Sequence, residues 1–381
     1  MHMAALCVLA LSLIIGSAAN ATPAQGKRGA ESGVPDVPVD EEVLNKRDLI
    51  YLPIPSASPN RGFGLAGVVA LLYDLDEESQ TSLSGLGVYA STNGSWAAGG
   101  LQRLNWGEDV YRFEFGLGYA DVKYDFYGVG NENGDAGLSV PIGQRGWVMR
   151  PQMLVRIWSK LFVGVNYRWV TAATRLRLTD EEIGDLPSDF PEIPERQLDV
   201  DAGLLGFLVE FDTRDNEWNP KKGVYFEGEY ALGRDNLGND FNYERMLLSF
   251  SHYIALKQNQ VLAYNVHVCS VWGDPPFFDL CQYGANNTLR GYDVGRYRDF
   301  SLAALQAEWR WQFQKKWGLA VFAGVGAVAP NLGKIGDEGW LPSAGVGIRY
   351  VVSETFGVNI GVDYARGKNS DAVYIRIGEA F

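Results

Sequence analysis

From about Asp48 to Phe381 the chain alternates apolar residues with small or polar ones, in segments broken by Gly, Asn, Asp and Pro. In TFGVNIGVDYAR, Phe356, Val358, Ile360, Val362 and Tyr364 fall on one face, and Gly357, Asn359, Gly361, Asp363 and Ala365 on the other. A period of two is that of a strand with two different faces. VYRFEFGLGYA repeats it, with Tyr111, Phe113, Phe115, Leu117 and Tyr119 against Arg112, Glu114, Gly116 and Gly118. So does ALQAEWRWQF, with Trp309, Trp311 and Phe313 against Glu308, Arg310 and Gln312. Sixteen such strands are predicted, near 48–54, 61–74, 81–92, 95–105, 109–121, 146–158, 160–173, 200–213, 222–233, 240–254, 258–271, 300–313, 316–328, 341–352, 355–366 and 371–381. The first is weakened by Pro53, with Pro55 just after it, because neither nitrogen can donate to a ladder.

A soluble sandwich alternates too. Here, however, Trp106, Trp158, Trp169, Trp309 and Trp317 sit near strand ends, and the face opposite the apolar one mixes glycine with both charge signs. That composition suits a lipid-facing outside and a watery inside. The segments match the ~9–11 residues that cross a bilayer as a strand. In lipid only a closed barrel pairs every strand N–H and C=O. The expected fold is therefore all-β, a transmembrane antiparallel β-barrel of sixteen strands over residues 48–381. With the N-terminus in the periplasm, the three long connections, 122–145, 175–199 and 272–299, all fall outside, and the periplasmic turns come out short, as such barrels require.

The first residues fit this location. Ala4 to Ile15 is an apolar run followed by GSAANA, in which Ala19 and Ala21 form an A-x-A cleavage site, so residues 1–21 read as a cleaved signal peptide. The run is short of the ~20 residues of a membrane-spanning helix. Residues 22–47, polar and rich in Pro and Gly, read as a flexible periplasmic linker. The expected location is the outer membrane of a Gram-negative cell. A net charge of -13 argues against a nucleic-acid partner. Beyond the signal, Cys269 and Cys281 remain. In an exported chain an even pair suggests a disulfide, the alternative being two buried thiols.

Catalytic chemistry finds little support. After the signal only His252 and His267 remain; His252 falls on the lipid side, and no Ser–acid pair neighbours His267 in the sequence. The acidic stretch TDEEIGDLPSDFPEIPER lacks calcium-loop spacing, and YGVGNENGDAG lacks the lysine of a phosphate loop. No enzyme activity, cofactor or metal site is expected. Mixed lumen charges (Arg112, Glu114, Arg168, Glu210, Glu227, Glu229, Arg310) leave a passive porin-like channel for small solutes as the alternative function.

Three stretches carry a family resemblance. NTLRGYDVGRYRD, on the sixth external connection, contains Leu289-Arg290-Gly291-Tyr292. VYIRIGEAF ends the chain, and DTRDNEWNPKKG occupies a periplasmic turn. In order and spacing they resemble the BamA/TamA-type outer-membrane barrels, or bacterial surface antigens, of a branch without periplasmic POTRA domains. The resemblance implies insertion or translocation of proteins or lipids at the outer membrane. Outer-membrane lipid, the barrel-assembly machinery during the chain's own insertion, and a protein or lipid cargo are the implied partners. It also implies a loop folded into the barrel and anchored by Arg290. The last strand would be an assembly signal, with Val373, Ile375 and Ile377 outward, Gly378 near the end and Phe381 last; Glu379 departs from the apolar row. The family's Phe-x-Asp-x-Gly, whose Asp meets the loop arginine, corresponds to FAGVG, so Gly324 stands in place of the carboxylate. A buried guanidinium needs a counter-charge, and Glu308, beside Arg310 on the strand before, is the expected substitute. Arg296, Arg298 and Asp299 are expected to form a solvated rim.

Overall fold

A computed structural model describes residues 47–58, 62–178, 193–284, 288–354 and 356–381. The signal segment 1–21, the linker up to residue 46 and the acidic residues 179–192 lie outside the described residues. Sixteen strands pair in chain order in one sheet. They are β1 (Arg47–Ser58), β2 (Gly62–Tyr73), β3 (Ser82–Ser91), β4 (Trp96–Trp106), β5 (Tyr111–Phe126), β6 (Val140–Trp158), β7 (Leu161–Leu176), β8 (Asp199–Asp212), β9 (Gly223–Gly233), β10 (Tyr243–Lys257), β11 (Gln260–Gly273), β12 (Ser301–Gln312), β13 (Trp317–Ala329), β14 (Leu341–Ser353), β15 (Val358–Arg366) and β16 (Asp371–Ile377). Every register between neighbours is antiparallel, so hairpins alone build the wall.

Alternation sets the two faces. In β3, Leu86 and Val88 are exposed while Leu83 and Tyr89 are buried. Aromatic side chains gather at both ends of the outer face. Trp96, Tyr119 and Trp147 touch across β4, β5 and β6 at the outer end. Near the periplasmic end Trp106 meets Tyr111 across β4 and β5, Trp317 meets Tyr350 across β13 and β14, and Trp309 and Trp311 stack along β12. Rings with one apolar body and one polar edge settle where hydrocarbon meets water.

Two departures from the expected strands matter. The 122–145 connection shrinks to 127–139, because the β5–β6 ladder continues from Asp121↔Arg145 to Phe126↔Val140. Strands of 16, 19 and 16 residues in β5, β6 and β7 are longer than a crossing needs. They raise the wall on the outer side, where a short helix, α1 (Asn131–Ala136), caps the β5–β6 hairpin. The second departure is at the C-terminus. β16 ends at Ile377, and Gly378, with φ of 68°, turns the chain out of the sheet. The Gly378 N–H then donates to the Asn359 carbonyl and the Glu379 N–H to that of Trp218.

The two edges of the sheet meet without a ladder: among the described residues no register pairs β1 with β16. Side chains join them instead. Ile50, Ala70, Leu72 and Leu83 face inward on β1–β3, and Ile377, Val358 and Phe356 share one buried cluster with them. Ile377 keeps the row of Val373 and Ile375 in the β15–β16 register, as expected, but it is not open to lipid: it is 8% exposed and belongs to this cluster. Phe381 turns inward, its ring 5.6 Å from the Arg310 guanidinium, and Ile375 is half-buried.

Candidate functional site

The described parts of the connection between β11 and β12, residues 274–284 and 288–300, fold into the outer half of the barrel. Its descent starts at a single turn, Phe277–Asp279, whose side chains are buried. Asp279 accepts from Arg168 of the facing wall at 2.9 Å and from the Tyr243 hydroxyl at 2.5 Å. Phe277 packs edge-on against Phe126 of the raised wall. A two-residue ribbon follows, with Cys281 opposite Asp299 and Gln282 opposite Arg298. A disulfide joins Cys281 to Cys269 of β11 and ties the start of the loop to its own strand. Arg298 and Asp299 are buried here, not a solvated rim. Arg298 serves the loop's own backbone, donating to the Gly295 and Phe277 carbonyls, and lies over the Phe126 ring.

The tip of the loop is held through backbone and tyrosine contacts. The Gly291 N–H donates to the Tyr374 hydroxyl at 2.9 Å, and the Tyr292 hydroxyl donates to the Pro342 carbonyl at 2.5 Å. Gly291 has φ of 101°, and a Cβ there would stand 2.8 Å from the backbone of Arg366 and Gly367. Only glycine meets both demands. Tyr283, Tyr292 and Tyr297 form a buried ring cluster, with Tyr292 tilted against Tyr283 and edge-on to Tyr297.

Arg290 is 1% exposed and points into a charged cluster on the inner wall. Its Nη1 lies 2.7 Å from Glu308 and 2.7 Å from Asp363, its Nε donates to Gln306, and its guanidinium lies 3.4 Å from the Phe322 ring centre. Glu308 also holds Arg310 at 2.7 Å, and Asp363 holds Arg349 at 2.5 Å and Arg376 at 3.1 Å. Glu379 closes the network at 2.8 Å from Arg349. Four guanidiniums thus share three carboxylates, contributed by the loop, by β12, β14, β15 and β16, and by the tail. Glu379, odd as a member of an apolar strand row, is here a lumen ligand of two arginines.

The missing carboxylate is explained by packing. A Cβ on Gly324 would lie 2.7 Å from Gln306 Cγ and 2.8 Å from Leu289 Cδ1. The loop's own leucine fills the space, and the second carboxylate comes from Asp363, two strands further on. Sequence reasoning missed Asp363 as a partner. The signal was there: it is the one acid on the polar row of TFGVNIGVDYAR.

A second segment folds inward at the periplasmic end. The turn between β8 and β9, in the DTRDNEWNPKKG stretch, reaches the opposite wall. Glu217 pairs with Arg103 of β4, Asn216 donates to the Phe356 carbonyl, and Trp218 packs on the cluster that joins the sheet edges. A polar cavity of about 210 Å³ remains in this half, lined among others by Arg103, Arg112, Glu114, Arg150, Glu210 and Glu217. His252 faces outward against the Tyr264 hydroxyl, and His267 is buried.

Sixteen antiparallel strands with an apolar belted outside, a charged inside and an external loop folded into the lumen define a membrane-spanning outer-membrane barrel. Residues 91–381 match the Omp85 superfamily domain, and the chain belongs to that superfamily, as a barrel of the BamA/TamA type. The outer membrane protein assembly factor BamA of Nitratidesulfovibrio vulgaris is 26% identical over 164 residues, 38% of this chain and 20% of that protein's length. Among solved structures, BamA from Haemophilus ducreyi lacking POTRA domains 1-3 aligns with a TM-score of 0.53 at 14% identity, over 88% of this chain and 75% of that one. CdiB from Acinetobacter baumannii aligns at 0.55 and 12% identity, over 88% and 60% of the two chains. CdiB from Escherichia coli aligns at 0.59 and 9% identity, over 91% and 63%.

Proposed function

We propose that this barrel inserts or translocates polypeptide, or lipid, at the outer membrane, using the junction of its first and last strands as the working edge. The observation that carries the reading is that junction, where side chains meet and, among the described residues, no ladder pairs β1 with β16. A free strand edge offers a row of N–H and C=O groups that another strand can complete. In lipid such groups must find partners, so an opened edge drives pairing with an incoming strand. Pro53 and Pro55 support it further. They are two apart and so face one side, and the β1–β2 register runs unbroken past both. Their nitrogens therefore belong on the edge away from β2, where they weaken pairing with β16. BamA's role as an assembly factor for outer-membrane proteins points the same way.

In this reading the Arg290 loop is a plug that keeps the lumen closed while the edge works. The buried tyrosine cluster and the inward periplasmic turn argue against an open channel for small solutes. Depletion of the protein, followed by outer-membrane proteomics and lipid analysis, tests the proposal. Loss of a defined set of barrel or surface proteins, or a change in the lipids, is expected. An unchanged composition together with lost uptake of small solutes would favour the passive channel.

A further inference from the structure

The outer wall between β1 and β6 is not evenly convex. It carries an apolar groove of about 1590 Å³, walled by exposed Leu49, Tyr51, Leu65, Leu86, Val88 and Leu117. These are outward positions, so the groove opens to membrane and not to the lumen. The inner face behind it carries almost no side chain where Gly87, Gly99 and Gly118 lie in one row across β3, β4 and β5. The wall can therefore sit deeper here than elsewhere. Gly67 and Ala98 lie on the lipid side of this stretch and line the groove.

The two ends of the groove differ. At the outer end stand Trp96, Tyr119 and Trp147, three rings in contact. Toward the periplasmic end, Ser84 and Gln102 line the groove and form a closed polar set with Tyr73: Ser84 Oγ donates to Gln102 at 2.8 Å, Gln102 Nε2 donates to the Tyr73 hydroxyl at 3.0 Å, and that hydroxyl lies 3.2 Å from Ser84. Polar side chains on a lipid-facing wall are costly unless they are hydrogen-bonded. This set meets that cost, because Gln102 Nε2 also donates to the Leu83 and Arg103 carbonyls, and it leaves the half-buried Tyr73 and Ser84 hydroxyls at the surface of the groove. From Trp96 to Gln102 is six strand steps, or ~20 Å, the scale of an extended fatty acyl chain.

We propose that the groove holds one glycerophospholipid of the periplasmic leaflet, with an acyl chain along the glycines and its glycerol-ester end at Tyr73, Ser84 and Gln102. A lipid of the outer leaflet would enter from the other end, where only aromatic rings wait. The inference rests on the barrel's place in the membrane and is independent of what the barrel transports.

The test uses the full barrel in phosphatidylethanolamine–phosphatidylglycerol vesicles. Two phosphatidylethanolamines carry a photoreactive diazirine on one chain, in one reagent near the carboxyl end and in the other at the methyl end. The first is expected to label peptides holding Ser84 and Gln102, and the second the peptide holding Trp96 and Ala98. Labelling should exceed that of the β12–β14 outer wall at least five-fold. Filling the groove by Gly67→Leu with Ala98→Leu should remove at least four-fifths of it. A Cβ on Gly67 meets only Val88 Cγ2, at 3.6 Å, so the wall accepts the change. Ala323→Leu, exposed on the far wall, should leave labelling as in the parent. Heat-dependent gel migration confirms that each variant is folded. Even labelling around the barrel, labelling undiminished by the filling substitutions, or the reverse order of the two reagents would overturn the proposal.

Discussion

Arg290→Met is expected to free the loop while leaving the barrel wall intact, and Glu308→Ala is expected to do the opposite harm. The difference follows from charge counting in the buried network. Without Arg290, Glu308 keeps Arg310 at 2.7 Å and Arg349 at 3.6 Å, and Asp363 keeps Arg349 and Arg376. Three carboxylates then face three guanidiniums, and no buried charge is stranded. Without Glu308, four guanidiniums share Asp363 and Glu379. Stranding a buried charge costs about 3–5 kcal/mol, here in the wall itself. The melting midpoint of Glu308→Ala should fall by roughly 5–15 °C, and that of Arg290→Met by a few degrees. Trypsin added from outside should cut at Arg296 and Arg298 in Arg290→Met, because the loop tip has lost its anchor. Equal melting losses, or continued protection of both arginines in Arg290→Met, would contradict the assignment.

Trp218→Ala is expected to loosen the two sheet edges from a distance along the chain. Trp218 comes from the β8–β9 turn, yet it packs where Ile50, Leu72 and Leu83 meet Phe356, Val358 and Ile377. Its carbonyl also accepts from the Glu379 N–H and so holds the tail. Full truncation of a core tryptophan costs about 3–5 kcal/mol; for a partly buried one, roughly 2–3 kcal/mol is expected. If that energy holds the edges together, amide exchange in β1 and β16 should speed up roughly 30-fold or more, while β6–β8 stay protected. Trp218→Phe should retain most of the protection. Exchange that rises evenly around the barrel would mean that the turn supports the whole wall and not the junction.

The barrel was largely legible in the sequence because a two-faced strand writes its period into every second residue. Each of the sixteen segments, even the proline-bearing first one, corresponds to a strand of the sheet. Legibility failed where the chain leaves that period. Ile377 continues the outward row of β16 in the sequence, but the turn at Gly378 and the cover from β1–β3 bury it. Arg298 and Asp299 look like a charged rim because nothing local shows that the ribbon with Cys281 and Gln282 encloses them. The latch was half legible: Glu308 follows from alternation on β12. Asp363 lies 73 residues from Arg290 in sequence, and its role depends on Leu289 having filled the space at Gly324. The inward reach of Trp218 had no sequence signal beyond its motif, since a turn's direction is set by what it meets.

The most direct test of the central claim is to lock the junction of the edges. Cysteines at Ile50 and Ile377, members of one buried cluster, would be bridged by a short thiol cross-linker in cells that depend on this protein. The locked form should reproduce the outer-membrane proteome and lipid profile of depleted cells, and each single-cysteine form treated alike should match the parent. A locked barrel that sustains a normal outer membrane would contradict an account in which the edges between β1 and β16 must part.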